Sequence, residues 1–320
     1  QSNLRAQFYA NFKHQLSLPQ NDVGEVRLIV GSTLLAATME DIKGRALMKR
    51  DEVDVIQLAL PVAGANDAQV LNNLRQEVAS LQEAWTGQRP SAIPMVPEEL
   101  TEADFYSRAS VQAAYEKGLV PLGLDMETVE PITWNLSKGN LLYLTDKEEQ
   151  MSALTEQIAR GKQKVIVLAP KYHPIPDLEG VLLVSSEEDQ MDMIQAVKSK
   201  VTERLEAGSR EHVVTIIVYN LSELVQTLTI DMQEQLEFIL EKGLKAGYAS
   251  IIMSPANLSR NIDPVSRIAK NYKQALLAMR VSDQSILTVT NRIVREPQLE
   301  EQEHYYIADN QANKVKVIMQ

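Results

Sequence analysis

The stretch Gly139-Asn140-Leu141-Leu142-Tyr143-Leu144-Thr145-Asp146-Lys147-Glu148-Glu149-Gln150-Met151 joins a short, wholly apolar run to the start of a helix. An uninterrupted apolar run of this length suits a strand covered on both faces. Thr145 and Glu148 stand three apart, the spacing of a capping box, and Met151, Leu154 and Ile158 recur at three and four residues as one apolar stripe. Gly161 then supplies a helix stop. Strand, tight turn and amphipathic helix in that order open an α/β unit.

Downstream the same alternation continues. Val165–Leu168, Val181–Val184, Val213–Val218, Ile251–Met253, Leu276–Met279 and Ile286–Val289 are further apolar runs and are expected to be strands. Between them lie helical patterns. Ser185 with Glu188 reads as a capping box, Ile194, Val197, Val201 and Leu205 as one face, and Gly208 as the end. Met232, Leu236, Ile239 and Leu240 form a second face, closed by Gly243. Tyr305–Ile307 and Val315–Ile318 flank a polar turn and predict a hairpin. Alternating elements of this kind argue for an open, mostly parallel, doubly wound sheet from about residue 119 onward, with Leu141–Leu144 and Val213–Val218 central.

Upstream, the first 90 residues read as a separate extension. Glu25–Val30 and Val53–Leu58 look like strands, and Leu71, Leu74, Val78, Leu81 and Trp85 mark a helix ending near Gly87. Pro90, Pro94 and Pro97 make residues 89–97 a natural linker. The expected division is therefore residues 1–90 and 91–320.

Composition narrows the function. The 320 residues are 44% apolar, enough for a sizeable core. There is no cysteine, which excludes disulfides and thiolate metal sites. No apolar run approaches the roughly 18–20 residues that span a bilayer, and Gln1-Ser2-Asn3 does not open a secretory signal. The formal charge of −11 argues against binding to nucleic-acid phosphates.

The segments Val120-Pro121-Leu122-Gly123-Leu124-Asp125 and Pro131-Ile132-Thr133-Trp134-Asn135-Leu136, followed by Gly139–Leu144, resemble the entry to an FtsK/SpoIIIE-type ATPase domain just before its phosphate loop. Gly44–Leu47, Gln57–Pro61 and Ile93–Glu98 resemble the joints between successive ATPase modules of EssC-type type VII secretion proteins. The resemblance extends over nearly the whole chain and rests on the order of these matches. It implies a RecA-like P-loop fold, and it identifies residues 91–320 as the last ATPase-like domain, preceded by the edge of the module before it.

The family's phosphate loop works because glycines let successive N–H groups converge on phosphate oxygens, while a lysine and a hydroxyl add charge and hold magnesium. Thr145-Asp146-Lys147-Glu148 stands at that position without a glycine, and Lys147 is not followed by serine or threonine. Acidic residues in a first turn satisfy the helix dipole that a phosphate would otherwise satisfy. Where the family carries the carboxylates that hold magnesium and polarise water, after Val213–Val218, this sequence has Tyr219-Asn220. A phenol and an amide neither neutralise a metal ion nor serve as general base. Glu223, three residues on, reads as a solvated residue of the next element. The four histidines, His14, His173, His212 and His304, are scattered and read as surface or turn residues.

These residues assign no catalytic, cofactor or metal site. Bound ATP and magnesium, usual in the family, are not expected. The resemblance implies a module of a membrane-anchored coupling protein at the cytoplasmic face of the membrane. Its expected partners are secreted helical-hairpin (WXG-motif) proteins, adjacent ATPase modules and other secretion components, and not nucleic acid. An active ATP-driven translocase motor and an unrelated α/β enzyme are the alternatives.

Overall fold

The computed structural model describes residues 12–36, 42–88, 93–161, 163–291 and 296–318. The chain divides into two compact units, Gln1–Ser91 and Ala92–Gln320. Part of the expected linker, residues 89–92, lies outside the described residues.

In the first unit, β1 (Gln15–Ser17), β2 (Arg45–Lys49) and β3 (Val53–Gln57) form an antiparallel sheet. Helix α1 (Val23–Val30) buries Val26 and Val30 in a small core with Leu47. The strand expected at Glu25–Val30 is thus a helix. Its β-branched residues favour extended backbone, but the local caps win. The Asp22 side chain accepts from Gly24 N at 2.8 Å, and Gly31, with φ of 80°, ends the helix in left-handed conformation. Helix α2 (Asp67–Ala84) starts on the Asn66 cap, and none of its residues is buried; Leu71, Val78, Leu81 and the adjoining Trp85 are about half exposed.

The second unit is built on ten strands in the order β5-β4-β13-β12-β11-β6-β10-β9-β7-β8. They are β4 (Leu119–Asp125), β5 (Pro131–Asn135), β6 (Leu141–Leu144), β7 (Lys164–Leu168), β8 (Val181–Val184), β9 (Val214–Val218), β10 (Tyr248–Ser254), β11 (Gln274–Leu277), β12 (Glu303–Ala308) and β13 (Gln311–Lys316). From β11 to β8 every pairing is parallel, and from β11 to β5 every pairing is antiparallel. The parallel half carries the continuous apolar runs, as strands covered on both faces require.

Successive residues feed opposite cores. Leu142, Leu144, Ile216 and Val218 join the cluster covered by α6 (Glu187–Glu206) and α8 (Ile230–Lys242). Leu141, Tyr143, Ile217 and Tyr219 join the cluster that receives Met151, Leu154 and Ile158 of α5 (Glu148–Ala159). Burying each such leucine or isoleucine contributes roughly 1.5–3 kcal/mol. Ahead of the sheet lie α3 (Glu102–Tyr106) and α4 (Ala109–Glu116). Gln302 clamps this lead-in by accepting from Leu100 N and donating to Leu100 O, both at 2.8 Å.

Three further expectations are corrected. Ile286–Val289 is not a strand: Gln284 Oε1 captures the Ile286 and Leu287 amides at 2.8 and 2.7 Å, so they are withdrawn from any ladder. The α6 cap is Ser186 with Asp189, one residue beyond Ser185 and Glu188, and Ser186 Oγ accepts from Asp189 N at 3.1 Å. Of the run Leu276–Met279, only Leu276 and Leu277 lie in β11.

Candidate functional site

In parallel α/β sheets ligands bind beyond the carboxyl ends of the strands. β10 lies between β6 and β9, so the segments that follow β6 and β9 face each other across one strand. They are Thr145–Glu148 and Tyr219-Asn220.

The turn after β6 is pinned by its own chain. Thr145 is buried, and its amide donates to Ser254 O at 3.0 Å. Its hydroxyl donates to Gln150 Oε1 and accepts from Lys147 N. The expected capping box of Thr145 with Glu148 does not form. Lys147 occupies the cap position of α5, with no side-chain cap bond, because the Thr145 hydroxyl is engaged one residue short of the helix. Asp146 accepts from Ala256 N at 2.9 Å, which joins this turn to the loop after β10. The Lys147 ammonium is paired with Glu301 at 3.0 Å. No residue from 145 to 148 has positive φ, whereas a nest of converging amides needs left-handed backbone.

Across the strand edge, both residues after β9 reach Glu148. Tyr219 is fully buried, and its hydroxyl donates to Glu148 O at 3.1 Å. Burial pushes the Tyr219 phenol well above its ordinary pKa, and the carboxylates of Glu148, Glu149 and Glu223 push the same way. Asn220 is held left-handed at φ 46° and donates through Nδ2 to Glu148 Oε1 at 3.0 Å. Asparagine tolerates that backbone better than most residues. The structure therefore joins Tyr219 and Asn220 to Glu148, while the side chains of Thr145, Asp146 and Lys147 in the same turn are bonded to Gln150, Ala256 and Glu301. Glu223 is exposed on α7 (Leu221–Thr227).

The histidines do not converge on this network. His14 is exposed, His173 is partly buried, and half-buried His212 shares a hydrogen bond with Thr215. His304 is corrected: it is fully buried on β12, with Nε2 3.0 Å from the Tyr143 hydroxyl. Burial lowers its pKa to about 4. Its neighbours in the apolar run Tyr305–Ile307 were the available signal. Among the described residues no cluster of three or more His, Asp or Glu side chains is placed to hold a metal ion.

No family model matches the sequence. Similarity to curated proteins nevertheless extends over almost the whole chain. The Type VII secretion system protein EssC of Staphylococcus aureus is 24% identical over 329 residues, covering 99% of this chain. The ESX secretion system proteins YukB of Bacillus subtilis and EccC of Geobacillus thermodenitrificans are 24% and 23% identical, covering 87% and 99%. The chain spans 20–22% of the length of these relatives.

Among solved structures, EssC (ATPases 2 and 3) from Geobacillus thermodenitrificans superposes with a TM-score of 0.77 at 21% identity, covering 99% of this chain and 63% of that one. The Thermomonospora curvata EccC (ATPases 2 and 3), solved with a signal sequence peptide, gives 0.56 at 16%, covering 96% of this chain and 58% of that one. The chain is thus homologous to EssC, EccC and YukB proteins of type VII secretion, and its sheet is that of a P-loop ATPase.

Proposed function

We propose that this chain is a degenerate ATPase module, the last of the series in a longer, membrane-anchored type VII secretion protein, and that it recognises secreted proteins and holds neighbouring modules in register. It works at the cytoplasmic face of the membrane and neither binds ATP tightly nor hydrolyses it.

The observation that carries this reading is the double attachment of Glu148. A carboxylate residue, rather than a glycine or a hydroxyl, stands at the entry to α5. The two residues that replace the family's magnesium-binding acids hold it, Tyr219 through the Glu148 backbone carbonyl and Asn220 through the carboxylate. A triphosphate arriving there meets Asp146, Glu148 and Glu149, and the cation of that turn, Lys147, is paired with Glu301. These carboxylates are exposed, so their repulsion of a triphosphate is partly screened by solvent but opposes binding at short range. Retained without its chemistry, the fold offers surfaces. The homologous EccC was solved with a signal sequence peptide, and the net charge of −11 favours basic or amphipathic protein segments over DNA.

Two titrations test the proposal. Calorimetry with ATP and magnesium should give no binding tighter than millimolar; a magnesium-dependent micromolar dissociation constant overturns it in favour of an active motor. Titration with WXG-type hairpins and with duplex DNA near physiological salt should show protein binding alone. DNA binding without protein binding favours a translocase.

A further inference from the structure

Helix α5 is buried at Gln150–Thr155, Gln157 and Ile158, yet one ridge of it stays open. A cleft of about 310 Å³ lies over Glu149, Gln150, Ser152, Ala153 and Glu156, walled by Pro174 and Pro176 of the loop after β7. A second, of about 500 Å³, continues past Glu156 over Ala159, Arg160 and Gly161 to Leu178 and Glu179. Small side chains at 152, 153, 159 and 161 keep the floor low. From Glu149 to Arg160 the helix rises about 16 Å at 1.5 Å per residue, the reach of roughly five residues of extended chain.

The rim has one dominant sign. Among the described lining residues, Glu149, Glu156 and Glu179 face one cation, Arg160, whose guanidinium is paired with Glu102 at 2.9 Å and lies 4.3 Å from the centre of the Tyr106 ring. A separate observation concerns hydrogen bonding. Gln150 is 7% exposed and lines the first cleft; its Oε1 accepts from Thr145, while its Nε2 has no partner among the described residues. An amide donor left open in a groove asks for an acceptor such as a peptide carbonyl. A ligand offering both carbonyl acceptors and cations is a basic peptide. A bare cation lacks the acceptor, and a nucleic acid or anionic lipid surface is repelled by the rim.

We infer that the groove between α5 and residues 174–179 binds an extended segment of about five residues of a partner protein, bearing lysine or arginine side chains. Its backbone carbonyl takes the Gln150 amide, and its cations sit against Glu149, Glu156 and Glu179. This deepens the reading of the domain as a protein-recognising module and fixes one site for it. Long-range attraction speeds encounter and makes affinity fall with salt.

The test is an array of immobilised hexapeptides carrying two lysines or arginines, with matched glutamate and uncharged arrays, probed with the whole chain and with its Glu149→Gln/Glu156→Gln/Glu179→Gln variant. Basic peptides should be enriched at least tenfold over both controls. The variant should lose that enrichment while keeping its melting temperature, and hydrogen exchange with the best peptide should slow at 148–160 and 172–180. No enrichment of basic peptides, or equal enrichment with the variant, overturns the inference. The nucleotide titration is independent of this result, so the groove and the inactive-ATPase reading fail separately.

Discussion

Glu148 and Asn220, 72 positions apart, are joined by a 3.0 Å hydrogen bond from the Asn220 amide to the Glu148 carboxylate. The first begins α5 and the second, two residues past β9, caps α7, so this contact and the Tyr219 hydroxyl tie together two loops of the strand edge. A double-mutant cycle with Glu148→Ala and Asn220→Gly should return a coupling of about 1 kcal/mol in chemical denaturation. Glycine is the informative replacement because it keeps the left-handed backbone. Asn220→Ala should cost roughly a further 1 kcal/mol in strain. Strict additivity in the cycle would show that the contact contributes nothing.

Repairing the loop sequence alone should not restore nucleotide binding. Asp146→Gly/Glu148→Ser places a serine after Lys147, as the family motif does. It leaves Tyr219 and Asn220 where carboxylates are needed, and it removes the Ala256 contact. Calorimetry with ATP and magnesium should stay silent, and the melting temperature should fall by a few degrees. A micromolar affinity would mean that the turn by itself was limiting.

The buried His304 should make the domain acid-sensitive. Its folded pKa is lowered by burial to about 4 from an ordinary 6.5. Between those values the unfolded chain takes up a proton that the folded chain refuses, so stability is full above about pH 6.5 and declines as pH falls toward 4. At the limit the loss is about 3 kcal/mol. His304→Gln keeps a partner for Tyr143 and should flatten this part of the stability curve between pH 7 and 4. Parallel curves for the two proteins would refute the assignment.

Gly247 turns the chain between α8 and β10 at φ 84°, and a Cβ there would lie 1.9 Å from Glu211 O. Strain and overlap act together, and the carbonyl cannot retreat freely because Arg204 Nη2 donates to it at 2.9 Å. Gly247→Ala should destabilise by at least about 2 kcal/mol in urea denaturation. A loss under about 0.5 kcal/mol would imply a backbone that rearranges readily.

The legible parts of the fold were those whose signals are local. Leu141–Leu144 announces a strand because both of its faces are covered, and Met151, Leu154 and Ile158 announce the helix. Val181–Val184 announces a strand by its apolar run, although it lies at the sheet edge with Leu182 half exposed. Failures occurred where two local signals competed. Val26, Ile29 and Val30 read as strand residues, yet Asp22 and Gly31 closed a helix around them, and Gln284 removed Ile286 and Leu287 from a ladder they otherwise suit. At the candidate site the sequence located both segments, 145–148 and 219–220. It gave no hint that Glu148 would be the group each of Tyr219 and Asn220 reaches, nor that the Thr145 hydroxyl would engage Gln150 and the Lys147 amide instead of capping the helix. Such bonds depend on strand order, which no spacing within a segment encodes.

The pairing of β4 with β13, and of Leu100 with Gln302 across 202 positions, also sets a timetable for synthesis. At translation speeds of about 5–20 residues per second, the ribosome needs roughly 10–40 s to deliver the partner strand after β4 has emerged. Until then β4 and β5 form a hairpin with an unsatisfied edge, an invitation to pair with a neighbouring nascent chain. The parallel half, complete once β11 has appeared, can settle earlier, so the antiparallel half is where crowded polysomes should first show misassembly.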